Sequence, residues 1–281
     1  MDKIEKIGAD RKSAHFDSLG EFVDFVDAKT GQGHYSHTAG ITLGGATSKG
    51  CGTETWEEAV DLALHGWKDG LEHLEVAYKQ VMTAMAETDI EYFWDVTGHV
   101  FDVGVVLSGE PECWLNTREA ESKRTMRLMV NVGVSVGVTT EVITNRGAAI
   151  VALIDELQKA GFIVELTITA ATRRYVSHHP DSYIQTFVEM GTTPLDMDAV
   201  AFALGNPALP RRMFFAYKEI ATGKMDLRNV SYGIPTEISK GYRKDYHYLE
   251  SLLLSNVRDQ FRSIRSSADW VVAEIAKFAE R

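Results

Sequence analysis

Two cysteines in 281 residues, Cys51 and Cys113, are too few for a disulfide framework, and no CxxC or Cys/His cluster that could hold zinc surrounds them. They read as free thiols. No apolar run approaches the ~20 residues of a membrane span, and the opening stretch MDKIEKIGADRKSAHFDSL is too charged for a secretory signal. A soluble cytoplasmic protein with no membrane partner is therefore expected. Enzyme signatures are also missing. A nucleophile elbow, HExxH, a Walker motif and a GxGxxG after the first strand are all absent, which predicts a non-enzyme with neither cofactor nor metal. Cations are scarce in the first half. Met1–Glu121 carries 9 Lys+Arg against 23 Asp+Glu, whereas Ser122–Arg281 holds the other 20 against 17. The whole-chain charge of −11 disfavours nucleic acid, but it conceals a second half that can carry a cationic face.

What is present is organised around Met126–Thr172. Leu128, Val130, Val132, Val134, Val136 and Val138 fall on every second position, the period of a strand with at least one buried face. Asn145 is expected to cap a helix with the stripe Ala149, Ala152, Leu153 and Leu157, and Gly161 to end it. Phe162–Thr169 then reads as a second strand, with Phe162, Val164, Leu166 and Ile168 on one face. Two strands joined by a long helix pair in parallel through a right-handed crossover. The expected class is therefore α/β, a central mixed sheet built on a βαβ crossover over residues 126–171.

Around this unit, residues 1–15 are polar and expected to fray, and Asp17 or Ser18 can cap a helix that buries Leu19, Phe22, Val23 and Val26. Residues 30–55 hold seven glycines and read as a long loop. This is no phosphate loop, because Lys49 is followed by Gly50 and the GxxxxGK spacing is absent. Thr55 and Glu58 form a capping box before Trp56, Ala59, Val60, Ala63, Leu64 and Trp67, with a break at Gly66 and Gly70 and a second helix to about Glu87. This predicts an N-terminal helical hairpin packed on the sheet, with Trp56 and Trp67 in the core rather than stacking bases. Asp95, His99 and Asp102 read as loop and turn residues rather than metal ligands. The chain divides into an acidic, mostly helical region, 1–121, and an α/β region, 122–281, forming one compact unit.

The second half also holds the candidate site. Lys123, Arg124 and Arg127 precede the first strand. Arg173, Arg174 and Tyr175 leave the end of the second, where ligands of open α/β sheets bind, followed by His178, His179 and Asp181, a weaker metal reading. A strand over Tyr183–Met190 and two helices broken at Asn206-Pro207 follow, with Arg211 and Arg212 opening the second helix. In Leu227–Tyr248, Arg228, Lys240, Arg243 and Lys244 interleave with Tyr232, Tyr242, Tyr246 and Tyr248. Cations that follow a sugar-phosphate backbone, alternating with rings on which unpaired bases stack, suit sequence-tolerant binding of single strands. A hairpin whose tyrosines pair across strands explains the same residues structurally. Arg258, Arg262 and Arg265 fall at helical spacing, and Trp270–Phe278 closes the chain with an amphipathic helix suited to docking or self-association, which makes a homo-oligomer possible.

Three segments, TWEEAVDLALHGWKDG (Thr55–Gly70), FDVGVVLSGEPECW (Phe101–Trp114) and NRGAAIVALIDELQKAGFIVEL (Asn145–Leu166), resemble a family of tailed-phage (podophage) proteins. That family includes the single-stranded-DNA-binding cofactor of a phage-encoded RNA polymerase. The resemblance covers about Leu19 to Tyr183; the last hundred residues match in character only. It implies binding to melted DNA without base-edge readout, recruitment of the phage RNA polymerase at middle promoters, and residence in the host cytoplasm. The expected DNA surface comprises Lys123, Arg124, Arg127, Arg173, Arg174, Tyr175, Arg211, Arg212, Arg228, Tyr232, Lys240, Tyr242, Arg243 and Lys244. The alternative is a non-enzymatic phage structural or host-interaction protein whose tyrosine-rich part is a protein interface.

Overall fold

The computed structural model describes residues 4–8, 11–29, 51–67, 76–83, 94–95, 100–101, 114–115, 125–135, 137–176, 179–192, 194–222, 234–252 and 255–279. In chain order the strands are β1 (Ile4–Gly8), β2 (Arg11–Phe16), β3 (Trp94–Asp95), β4 (Val100–Phe101), β5 (Trp114–Leu115), β6 (Thr125–Asn131), β7 (Ile163–Val176), β8 (His179–Thr192), β9 (Ile234–Thr236) and β10 (His247–Leu249). The helices are α1 (Leu19–Lys29), α2 (Trp56–His65), α3 (76–83), α4 (Thr140–Lys159), α5 (Met197–Gly205), α6 (Phe214–Thr222), α7 (Lys240–Arg243), α8 (Ser255–Asp259) and α9 (Ile264–Ala279). A π-helical turn, Leu209–Met213, joins α5 to α6.

The expected α/β class and mixed sheet are observed. The main sheet runs β1-β2-β8-β7-β6-β10, with β9 beside the far end of β7. β6, α4 and β7 form the βαβ unit, paired in parallel from Thr125↔Ile163 to Asn131↔Thr169. β10 adds in parallel to the other edge of β6, so the carboxyl end of β6 is a switch point between neighbours on both sides. β3, β4 and β5 make a separate antiparallel sheet. β1 and β2 overturn the frayed terminus: β2 pairs in parallel with β8, from Arg11↔Tyr183 to Phe16↔Val188. Their polar sequence reflects a sheet edge, and the pairing partner lies some 170 residues away.

Alternation sorts the sheet into two faces. Ala14, Phe16, Leu128, Val130, Val164, Leu166, Ile168, Ile184 and Val188 enter one core together with residues of α1, α2, α4, α5, α6 and α9. The opposite face carries Ser13, Met129, Asn131, Thr167, Thr169, Ala171, Gln185 and Phe187, all buried. Strand pairing of β6 stops at Asn131, short of the alternation that predicts a strand to Val138. Val132, Val134 and Val138 of that pattern lie in the connection to α4.

Caps explain the helix ends. Ser18 Oγ accepts the Glu21 N–H at 3.1 Å, so Ser18 opens α1. Thr55 Oγ1 accepts the Glu58 N–H at 3.0 Å, and Glu58 reaches back to the Glu54 N–H at 2.6 Å, one residue before the expected partner. Asn145 is not the cap of α4. Thr139 is, in extended backbone with its Oγ1 toward Val142 N–H, while Asn145 lies inside the helix and donates to the Phe261 carbonyl at 3.2 Å. α4 ends as expected at Gly161 (φ 85°), with Gly161 N–H to Gln158 O and Phe162 N–H to Leu157 O, both 2.9 Å, closing the last turn.

The second helix of the predicted N-terminal pair is described over 76–83. It packs on α4 and α5 through Ala77, Ala148 and Ala201, and the Tyr78 hydroxyl donates to Asp155 at 2.6 Å. The connection 68–75 lies outside the described residues. Trp56 is buried at 2 % exposure, and Trp67 packs half-buried on the same core. At the C-terminus, Arg258 lies in α8, and the closing helix α9 begins at Ile264, before the expected Trp270. Among the described residues no helix is long and apolar enough to cross a membrane.

Candidate nucleic-acid interface

Residues 237–249 pack on the second face of the sheet. This segment leaves β9, paired antiparallel to Ala171–Arg173, and returns along β6 as β10. Among its described residues the tyrosine-rich region forms no hairpin, because β9 and β10 pair with different strands. Ile238, Met129, Ala171 and Phe187 form a small core beneath it, with Tyr183, Tyr242, Tyr246 and Tyr248 packed around. His15, exposed on β2, stacks on Phe187 at 4.3 Å between ring centres and 8° between planes. Tyr242 closes the group at 5.4 Å from Phe187 and 6.1 Å from His15.

Cations rim these rings. Arg173 follows Ala171 by two positions, lies opposite Tyr183 and is exposed on this face. Arg127 is exposed over the Tyr246 ring at 4.6 Å, with its charge shared with Glu165 at 3.0 Å. The half-buried Arg243 covers Tyr248 at 4.6 Å, and Lys240 and Lys244 are exposed on the covering segment. The fold thus brings Arg127, Arg173, Lys240, Tyr242, Arg243 and Lys244 to one side of the sheet. Lys123, Arg124, Arg228, Tyr232 and His178 lie outside the described residues, as do the side chains of Arg174, Tyr175, His179 and Asp181.

Arg211 and Arg212 do not belong to that surface, a correction to the expected site. Both are buried in the π-helical turn on the helical side. Arg211 donates to the carbonyls of Ser135 and Val138 at 3.1 and 2.6 Å. Arg212 donates to those of Thr53 and Glu54 at 2.8 and 3.1 Å. Burial lowers the pKa of both guanidiniums. They hold the loops that lead into α4 and α2, since a buried carbonyl needs a donor.

Sequence reasoning also missed a polar network at the carboxyl end of β6. Asn131 Nδ2 donates to Thr236 O at 3.0 Å and to the Tyr248 hydroxyl at 2.9 Å, and Asn131 Oδ1 accepts Gly133 N–H at 2.9 Å. The Tyr248 hydroxyl donates to Glu237 Oε2 at 2.5 Å, and Ser251 Oγ donates to Glu237 Oε1 at 2.6 Å. Burial, then the Glu237 carboxylate, pushes the Tyr248 phenol well above its ordinary value. Arg146, buried in α4, donates to Asn131 O and Glu250 O, and burial pushes it down to about 10. Tyr248 is thereby occupied as a structural hydroxyl and is not a stacking ring. The available signal was an arginine directly before the apolar run GAAIVALI. Every member is hydrogen-bonded within the protein, so the network fixes the switch point and offers no open ligand position. Beside Arg146, Asn206 lines a pocket of about 10 Å³, room for about one water. Among the described residues no three His, Cys, Asp or Glu side chains are placed to hold a metal.

Lys218 gives a pH prediction. Its ammonium is buried in α6, over the Phe215 ring at 4.7 Å, and desolvation pushes its pKa down to about 7 from 10.5. The folded state therefore binds fewer protons than the unfolded state between those values. The penalty is full below about pH 7 and is relieved as pH rises toward 10.5, so this group makes stability increase with pH. In denaturant titrations at pH 7 and 9, Lys218→Met is expected to raise stability at pH 7 and to flatten the rise. An unchanged slope would refute the assignment.

The fold and site define an α/β protein with one sheet face under helices and the other aromatic and rimmed by cations. The chain belongs to the family described as a domain of unknown function, DUF7192, whose profile matches residues 4–269. No curated protein and no solved structure matches the chain.

Proposed function

We propose that this chain is a non-enzymatic single-stranded-DNA-binding protein that acts as a transcription cofactor, recruiting a phage RNA polymerase to melted promoters from the host cytoplasm. The observation that supports DNA binding is the side of the sheet where Arg127, Arg173, Lys240, Arg243 and Lys244 lie together with the His15, Phe187 and Tyr242 rings. Rings with cations nearby provide stacking and phosphate attraction without reading base edges. The phage setting and the polymerase partner rest on the resemblance of Thr55–Gly70, Phe101–Trp114 and Asn145–Leu166. The acidic first half repels DNA, confines it to one face, and suits a basic polymerase surface.

Titration of labelled oligo-dT and of a duplex at two ionic strengths tests this. Single strands are expected to bind more tightly than duplex, with a log–log salt slope of about −0.7 per neutralised phosphate. Arg173→Glu and Arg243→Glu are each expected to weaken binding at least about tenfold, because each places an anion where a phosphate passes. Arg262→Glu, exposed beside α4 on the helical side, leaves affinity unchanged. Salt-insensitive binding or a preference for duplex overturns the reading.

A further inference from the structure

We propose that the corner where α2 ends and α3 and α5 begin docks a basic protein segment that projects aliphatic side chains. It lies on the helical side, apart from the cationic side of the sheet. The recruiting role proposed above needs a protein contact of this kind, but the surface is read from the fold alone. Single exposed apolar side chains are ordinary on a protein surface, whereas several together mark a contact. Among the described residues four large ones are exposed, and three belong to this corner: Leu64 at 43 %, Val76 at 56 % and Met197 at 39 %. The backbone brings them together. Gly66 ends α2 at φ 89°, and a Cβ built there would lie 2.5 Å from Asp198 Cβ, so α2 stops directly against the first turn of α5. Leu64 is two residues before that contact, and Met197 is next to Asp198. Ala77 packs with Ala201, one turn after Met197, which sets its neighbour Val76 beside the same end of α5. Trp67, half-buried on the main core, continues the apolar surface past Gly66.

The rim decides the occupant. Glu57, Asp61 and Leu64 follow one another at i, i+4 and i+7, so two exposed carboxylates share the stripe of Leu64. Asp196 caps α5 by accepting the Asp198 and Ala199 N–H groups at 3.1 and 3.2 Å, and Asp196 and Asp198 flank Met197 in the chain. Against these four carboxylates stand Lys79, three residues after Val76, and His65, which faces Asp61 at 2.9 Å. The local field is therefore negative. It attracts a cationic partner and repels both DNA and anionic lipid headgroups. Aliphatic side chains of the partner cover Leu64, Val76 and Met197 while its cations reach the carboxylates, as when an amphipathic helix lies on an apolar strip.

The test titrates the full chain into three labelled synthetic peptides of equal length: an amphipathic Lys/Leu helix, a Lys/Ser peptide of the same charge, and a Glu/Leu helix of reversed charge. The wild type is expected to bind the Lys/Leu helix at least about tenfold more tightly than either of the others, because only that probe offers both cations and aliphatic side chains. Leu64→Lys and Met197→Lys are each expected to remove most of that preference, whereas Ile234→Lys, the fourth exposed apolar position, leaves it intact. All three positions are exposed, and thermal melts check that the variants fold. Equal binding of the Lys/Leu and Lys/Ser peptides overturns the proposal, as does a preference that survives both Leu64→Lys and Met197→Lys. Sedimentation supplies the other arm: a concentration-dependent dimer that Met197→Lys dissolves makes the occupant a second copy of this chain and overturns the basic-segment assignment. Oligo-dT titration of the same variants is expected to match the wild type, so failure of the DNA reading appears separately from failure at this corner.

Discussion

Arg146→Met is expected to lower the stability of the protein by about 3 kcal/mol, read as a shift of the denaturant midpoint with unchanged slope. The guanidinium is wholly enclosed, donates to the carbonyls of Asn131 at 2.9 Å and Glu250, and stands 6.0 Å from the Phe261 ring centre. Methionine refills most of the volume but supplies no donor. Each buried carbonyl left without a partner costs about 1–3 kcal/mol. Removing a desolvated charge returns part of that loss, because a buried ion is costly even when partnered. The donor loss wins here, since the two carbonyls belong to β6 and to the chain just after β10, and Arg146 ties both to α4. An unchanged or raised midpoint would show that these bonds contribute nothing net.

Trp56→Ala is expected to cost about 3–5 kcal/mol while leaving DNA affinity untouched. The indole is 2 % exposed within the main core, and its Nε1–H donates to Asp27 Oδ1 at 2.6 Å, tying α2 to α1. Truncation removes a large buried ring and opens a cavity that α1, α2 and the π-helical turn cannot easily close. Oligo-dT titrations at low temperature, where the variant remains folded, should match the wild type. A fall in affinity without a fall in stability would instead make Trp56 a stacking platform.

Local signals carried far in this chain. The capping residues Ser18 and Thr55, the left-handed Gly161 and the buried stripe of α1 are each set by neighbours within a few residues, and each is observed where the residues point. The miscast elements share a different trait. β2 looked like a loose terminus because its partner, β8, is distant in sequence. Asn145 has the composition of a cap but serves the Phe261 carbonyl, 116 residues away. The candidate interface was half legible for the same reason: the cations of β6, β7 and α7 could be named, whereas His15 and Phe187 gave no sign of meeting before β2 paired with β8.

What the sequence alone determined is the type of each long element and the imbalance of charge between the halves, because backbone sterics, caps and periodicity act over one or two turns. Which cations face water was decided only by tertiary structure. Arg173 and Arg212 are equally cationic in the sequence. One is exposed on β7, and the other is enclosed by carbonyls 159 and 158 residues away. A side chain's partner is set by the packing of distant segments, and the free energy of burying a charge depends on that partner rather than on the charge.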